Sequence, residues 1–210
     1  EFLFLDRASP PDGDEQYEAY REALTAFPDG RVVVRTLDAG GDKPVEYLGT
    51  ADDENPFLGE RGIRRSLGPD ADVFETQLRA LLRAAATDAG GRLSVMLPLV
   101  TTVEEVIAAR EAMESVAAAL DAAGEAYAIP EFGVMIETPA AALLADPLVD
   151  HVDFVSVGTN DLAQYVMAAA RGNRRVAEYA DPRQRAVLRA IGAAGAAAAG
   201  TDVRVGSCGE

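Results

Sequence analysis

Two short stretches of this chain each run from an apolar segment onto a carboxylate. Glu131-Phe132-Gly133-Val134-Met135-Ile136 leads to Glu137-Thr138-Pro139, and Val152 to Val157 leads through Gly158 to Thr159-Asn160-Asp161. An apolar run bounded by Gly or Pro reads as a buried strand. A helical pattern follows each stretch, so both carboxylates sit at the C-terminal end of a strand, where parallel α/β folds bind ligands. Thr159-Asn160-Asp161 is expected in the loop between strand and helix. Glu137 and Asp161 are hard oxygen ligands, which suits Mg²⁺ held by one or two carboxylates together with a phosphorylated molecule. Asn160 can donate through its side-chain amide.

Cations and one thiol fall at corresponding places. Arg35 lies near the end of the β-branched run Val32 to Leu37, Arg61 and Arg171 are expected in loops on the same side, and Cys208 follows the strand pattern Asp202 to Gly206. Arginine forks match the oxygens of phosphate and carboxylate. A thiol is mostly protonated at about pH 7 and could give a proton to carbon. A lone cysteine is, however, more often a small buried hydrophobe. Collected, these groups make an anion receiver with a divalent metal. Phosphoryl transfer needs that assembly, because its catalysis is largely positioning and charge neutralisation.

Other motifs are weaker. Ala39-Gly40-Gly41-Asp42-Lys43-Pro44 is a Gly-rich loop directly after a strand, capable of close approach to an anion and equally readable as a turn. Arg61, Arg64 and Arg65 crowd into five residues, either as an anion site or as charges paired with nearby acids. The single histidine, His151, precedes the Val152 strand at its N-terminal end and reads as a surface residue, so a phosphohistidine is not expected within these residues.

Composition bounds the classes. The chain has 210 residues, 49% of them hydrophobic, enough for one globular domain with a full core. Its net charge of −16 argues against nucleic acid and anionic membrane as partners. No apolar run approaches a membrane span. The cations are 18 Arg and one Lys, Lys43. Abundant Asp and Ala with almost no Lys resemble the proteins of extreme halophiles, whose dense carboxylate surface stays hydrated when salt screens its repulsion; a GC-rich genome with an acidic bias is the other reading. One cysteine excludes a disulfide framework and fits a reducing cytoplasm.

The elements that carry these residues alternate. Residues 1–5 read as the last half of a strand, and the chain as a fragment of a longer one. A helix is expected over Glu15 to Ala26, a strand over Val32 to Leu37, an irregular acidic stretch over Glu46 to Glu54 and a helix over Asp72 to Ala89. Strands follow at Leu93 to Val100, Glu131 to Glu137, Val152 to Val157 and Asp202 to Gly206. A helix capped by Thr101 or Thr102 runs to about Ala123, short helices follow Pro139, and an Ala-rich helix spans Pro182 to Ala199. Strand-helix alternation favours parallel strands with crossover helices. Six strands fit a (β/α)₈ barrel cut at both ends; an open doubly wound sheet competes. Polar groups at the ends of four strands favour the barrel, which gathers strand ends around one mouth.

The motifs EFLFLDR, RTLDAGGDKP, ENPFLGERGIR, GVMIETPAA, SVGTNDLAQY, Arg171-Gly172-Asn173 and SCGE resemble the C-terminal, phosphoenolpyruvate-binding domain of Enzyme I of the bacterial sugar phosphotransferase system, over nearly the whole chain. Pyruvate phosphate dikinases and phosphoenolpyruvate synthases are similar at GTNDL and ETPA but do not usually carry GGDKP. The resemblance implies a (β/α)₈ barrel, Mg²⁺ on Glu137 and Asp161, and phosphoenolpyruvate held by Arg35, Arg61, Arg171, Asn160 and Asp161. It makes Cys208 the proton donor to the enolate carbon. It places the acceptor histidine in a separate N-terminal domain that passes the group to the carrier HPr, and it implies dimerisation through this domain. It also places a further phosphate-binding Arg two residues ahead of Glu1, and a last barrel strand after Glu210. Other readings of the same residues are a Mg²⁺-dependent lyase or aldolase and a non-catalytic dimerisation or regulatory module.

Overall fold

The computed structural model describes residues 2–40, 45–49 and 54–209, the side chain of Glu46 apart. Residues 41–44 of the Gly-rich loop, with Lys43, and residues 50–53 of the acidic stretch lie outside the described residues. The chain forms two compact units, Glu1–Leu97 with Ile107–Glu131, and Pro98–Val106 with Phe132–Glu210.

The first unit holds α1 (Gly13–Ala26), β1 (Val32–Arg35), α2 (Ile63–Ser66), α3 (Ala71–Ala85) and β2 (Leu93–Leu97). α4 (Val103–Ala123) contributes most of its length from Ile107 onward. β1 and β2 pair in parallel, with Val32 opposite Leu93 and Arg35 opposite Met96. β2 is buried along its whole length, as its two apolar faces predict. α1 starts on an Asp12 cap, whose carboxylate accepts from the N–H groups of Asp14 and Glu15. Leu24, Leu78, Leu81 and Leu82 pack this unit's core. Arg83 ties α3 to α1, donating to Asp14 at 2.8 Å and lying over the Tyr17 ring at 4.7 Å.

The second unit holds β3 (Glu131–Ile136) from Phe132 onward, α5 (Pro139–Leu143), α6 (Ala145–Val149), β4 (Phe154–Gly158), α7 (Thr159–Val166), α8 (Arg185–Ala198) and β5 (Arg204–Cys208). β3, β4 and β5 lie side by side in chain order, all parallel. Each βα step therefore advances the same way, which is how a (β/α)₈ barrel is built; a doubly wound sheet reverses at a switch point. Thr102 and Glu105 form the expected helix start as a capping box. The hydroxyl accepts from the Glu105 N–H, and the carboxylate accepts from the Thr102 N–H at 3.0 Å. Thr138 caps α5 by accepting from the Ala141 N–H at 3.1 Å, with Pro139 in the first turn.

Three expectations are corrected. Phe2–Phe4 is one 3₁₀ turn, not a strand end. Phe4 reaches burial in a cluster with Leu37, Ala39 and Val45, and its carbonyl accepts from the Tyr47 hydroxyl at 2.8 Å; the four-residue apolar run Phe2 to Leu5 carries no period that tells strand from turn. Thr159-Asn160-Asp161 is the first turn of α7 rather than a loop. The number of strands is five among the described residues, against six expected. No helix among the described residues is long and apolar enough to cross a membrane.

Candidate functional site

The first unit supplies the cations. Arg35 ends β1 and is half-buried; Arg61 and Asp38 have fully buried side chains. Arg61 forks onto Asp38, with Nη2 donating to Oδ2 at 2.8 Å and Nε to Oδ1 at 3.3 Å. Arg35 Nη1 lies 3.4 Å from the same Oδ2. One carboxylate thus holds two guanidinium groups in fixed places. Gly40 permits the approach. Its φ of +111° suits glycine, and a Cβ there would lie 2.7 Å from Arg61 Cβ and 2.9 Å from the Glu60 carbonyl oxygen. The Phe57 ring covers the Arg61 guanidinium at 5.9 Å. The arginine cluster itself disperses. Arg64 donates to the carbonyls of Leu58 and Gly59, and Arg65 to Asp70 at 2.5 Å and the Leu48 carbonyl. For these two, pairing within the fold is the observed role.

The second unit supplies the carboxylates and the thiol. Glu137 follows β3 directly and is 1% exposed; Asp161, in the first turn of α7, is 7% exposed. The β3–β4 register pairs Ile136 with Val157, which sets Glu137 level with Gly158, and the β4–β5 register pairs Gly158 with Cys208. Level residues on adjacent parallel strands share a face, so Glu137 and Cys208 flank a glycine on one side of the sheet. A Cβ on Gly158 would lie 2.9 Å from Glu137 Cβ, 2.9 Å from Met135 Sδ and 3.1 Å from Glu137 Oε2. The missing side chain is what lets Glu137 lie there.

Glu137 Oε1 accepts from the Leu99 N–H at 2.6 Å. Leu99 has φ +54°, an uncommon backbone state for a bulky residue. Cys208 is exposed, not the buried hydrophobe that a lone cysteine usually is. The Ser156 hydroxyl donates to its Sγ at 3.7 Å, and the Thr159 hydroxyl donates to its carbonyl at 3.2 Å. Gly209 turns at φ +123°, where a Cβ would lie 2.1 Å from Thr159 Oγ1 and 3.4 Å from Asn160 Oδ1. β5 therefore ends against the first turn of α7, with Asn160 beside it. Arg171 follows α7 in a turn, its N–H donating to the buried Gln164 side chain at 3.0 Å. His151 is half-buried at the other end of β4.

Within the first unit Arg35 and Arg61 share Asp38; in the second, Glu137 and Cys208 lie level with Gly158, Asn160 lies beside the end of β5, Asp161 is in the first turn of α7 and Arg171 in the turn after it. Sequence reasoning passed over Asp38, Leu99, Ser156 and the contact role of Gly158. Only Gly158 left a trace, as a glycine breaking an apolar strand beside a polar triplet. Glu137 and Asp161 offer oxygen alone, and among the described residues no group of three or more His, Cys, Asp or Glu gathers. This donor set fits Mg²⁺, which takes one or two carboxylates and completes its octahedron from water and phosphate, and it does not fit a closed zinc site.

Comparison with known proteins bears on the same residues. The family described as PEP-utilising enzyme, PEP-binding domain, matches residues 1–210. A phosphoenolpyruvate-protein phosphotransferase of Haloferax volcanii is 72% identical over 210 residues, all of this chain and 37% of the relative. One from Latilactobacillus sakei is 47% identical over 192 residues, 91% of this chain and 33% of the relative. A multiphosphoryl transfer protein of Xanthomonas campestris is 50% identical over 212 residues, covering 100% of this chain and 24% of the relative. The chain thus spans 24% to 37% of the length of these relatives.

Proposed function

The chain belongs to the PEP-binding domains of PEP-utilising enzymes, and from that premise we propose that it binds phosphoenolpyruvate and takes part in phosphoryl transfer to a protein histidine. The observation that supports this most is the level row Glu137–Gly158–Cys208, a buried carboxylate and an exposed thiol on either side of a bare glycine. Glu137 and Asp161 would hold Mg²⁺; when bound, it neutralises charge on the phosphate and on the enolate oxygen. Arg35, Arg61 and Arg171 take phosphate and carboxylate oxygens, and Asn160 donates to the phosphate beside Asp161.

The bond that breaks joins phosphorus to the enol oxygen. Its electrons stay on that oxygen, leaving the enolate of pyruvate, and the phosphoryl group passes to the histidine nitrogen. The Cys208 S–H then gives its proton to the methylene carbon, forming the C–H bond of pyruvate and leaving a thiolate. The Ser156 hydroxyl at 3.7 Å points its proton at that sulfur, which favours the thiolate as it forms. His151 is not the acceptor, since it lies at the opposite end of β4 from Gly158.

The acceptor is a histidine of an N-terminal domain, which hands the phosphoryl group to the carrier HPr for sugar uptake. The working protein is a cytoplasmic homodimer of a halophile. The relatives named as phosphotransferases and the net charge of −16 support this setting.

The test uses the full-length protein in high KCl with phosphoenolpyruvate and Mg²⁺ and no nucleotide. Acid-labile phosphohistidine together with released pyruvate is the expected result. Product only after ATP, AMP or phosphate is supplied would move the protein to the dikinases and synthases. No product under any condition would sink the phosphoryl-transfer reading.

A further inference from the structure

One series of buried polar side chains in the first unit lies outside the residues assigned so far. Gln16 Nε2 donates to the Pro11 carbonyl at 3.0 Å, and the Tyr20 hydroxyl donates to Gln16 Oε1 at 3.1 Å. Gln77 Nε2 donates to the Tyr20 oxygen at 3.1 Å, and Gln77 Oε1 accepts from the Leu37 N–H at 3.0 Å. Gln16, Tyr20 and Gln77 are 0%, 5% and 2% exposed. Tyr20 has one proton, and it goes to Gln16; its oxygen is thereby left to accept from Gln77, which turns the Gln77 amide oxygen toward Leu37. Polar side chains are costly to bury unless each is satisfied, so three in a row need an explanation from the place they reach.

That place is the end of β1. The Thr36 N–H donates to the Met96 carbonyl of β2 at 2.9 Å. One residue later Gln77 takes over, at Leu37. The next residue is Asp38, whose buried carboxylate holds both Arg61 and Arg35. Gln77 thus fixes the backbone immediately before the group that orders the cations.

We propose that Gln77, supported by Tyr20 and Gln16, is a positioning residue for the Arg35–Arg61 pair. It acts through the Leu37 N–H and Asp38 and touches no substrate. The proposal rests on reading those arginines as binders of phosphoenolpyruvate. Without the Gln77 oxygen, the Leu37 N–H is buried with no acceptor. The segment then shifts to find one, Asp38 moves with it, and the guanidinium groups lose their common anchor.

The experiment compares Gln77→Leu, Gln77→Glu and Leu78→Ala with the wild type in the full-length protein. Phosphoenolpyruvate binding with Mg²⁺ is followed by titration calorimetry and stability by thermal melting. Leu78 is the fully buried neighbour on α3 outside this series. Gln77→Leu is expected to weaken binding about tenfold. Gln77→Glu keeps an acceptor for Leu37 once the Tyr20 hydroxyl turns its proton from Gln16 to the second carboxylate oxygen, and should weaken binding clearly less than Gln77→Leu. Leu78→Ala should lower the melting temperature and leave the affinity unchanged. Wild-type affinity in Gln77→Leu overturns the proposal, as does equal weakening in Gln77→Glu. Weakening in Leu78→Ala to match Gln77→Leu also overturns it, since general loosening of the unit then suffices. If the wild type itself binds no phosphoenolpyruvate, the reading of the arginines fails and this proposal falls with it; a failure confined to the variants sinks the proposal alone.

Discussion

Replacing Gly158 by alanine adds one methyl group at the point where the second unit is most tightly set. The backbone there has φ −87°, open to any residue, so the penalty is contact alone. The new Cβ would lie 2.9 Å from Glu137 Cβ and 2.9 Å from Met135 Sδ, while carbon atoms settle at about 3.5–4.0 Å. Met135 can swing its thioether aside. Glu137 cannot, because its Cβ is fixed to the end of β3 and its carboxylate is held by the Leu99 N–H at 2.6 Å. At least about 0.6 Å of separation must therefore come from moving β3 or turning Glu137, at about 1–3 kcal/mol. On the proposed reading of Glu137 as a Mg²⁺ ligand, a displacement of half an ångström or more would spoil its geometry for an octahedral ion. Gly158→Ala should lower the melting temperature modestly and raise the Mg²⁺ concentration for half-maximal turnover by about tenfold or more. The assay is pyruvate release by the full-length protein across a Mg²⁺ titration, with melting curves beside it. Wild-type Mg²⁺ dependence in a folded Gly158→Ala protein would refute the claim that the bare glycine is what seats Glu137.

Three further outcomes follow from the same contacts. Cys208→Ala should slow pyruvate formation far more than it weakens phosphoenolpyruvate binding; an unchanged turnover rate would remove the thiol from the chemistry. Asp38→Asn leaves the fully buried Arg61 guanidinium without its carboxylate and should destabilise the fold by about 3–5 kcal/mol, read by denaturant unfolding; a loss under about 1 kcal/mol would mean that Asp38 does not carry that charge. Burial pushes the Tyr20 hydroxyl up to about 12, against the lowering effect of its hydrogen bond from Gln77. Between about pH 10 and 12 the unfolded chain therefore releases a proton that the fold retains, and stability falls as pH rises, by up to about 3 kcal/mol. Tyr20→Phe should remove that part of the alkaline slope, and an identical slope in the variant would show that Tyr20 does not titrate there.

The sequence disclosed most where residue type and period agree. β2, β3 and β4 lie within a few residues of their apolar runs, and Thr102 and Thr138 cap the helices expected after them. The end of β4 was legible because Gly158 follows its run, whereas β1 and β2 stop at Arg35 and Leu97, short of the expected Leu37 and Val100. Site residues that act through backbone position were not legible. Gln77 reads in the sequence as one more polar residue on an amphipathic helix, yet it is 2% exposed because α1 covers it with Tyr20. Asp38 stands between Leu37 and Ala39 after β1, and only its two arginine partners, one of them 23 positions away, single it out. The crowding of Arg61, Arg64 and Arg65 was readable as an anion site or as charges paired with nearby acids. In the fold, Arg61 precedes α2 while Arg64 and Arg65 are successive positions on it that point different ways, and the three guanidinium groups find separate partners.

Leu99 marks the limit of such reading and the reason for it. A leucine carries no signal for φ +54°, a state that costs of order 1–3 kcal/mol and persists only where neighbours hold it. Here the neighbours are identifiable. Leu99 is 2% exposed, so its side chain is anchored in the core. Its N–H donates to Glu137, and the next carbonyl, Val100, accepts from the Thr138 hydroxyl at 2.7 Å. Two successive residues after β2 thus grip two successive residues after β3, one bond in each direction. The turn at Leu99 sets the direction of the Val100 carbonyl relative to the Leu99 N–H, so that the two groups reach two successive residues. Glu137 is held from one side by this clasp and from the other by close contact with Gly158. On the proposed reading of Glu137 as a Mg²⁺ ligand, a buried carboxylate fixed from both sides would need little reorganisation to receive the cation, which is the form of preorganisation that electrostatic catalysis requires.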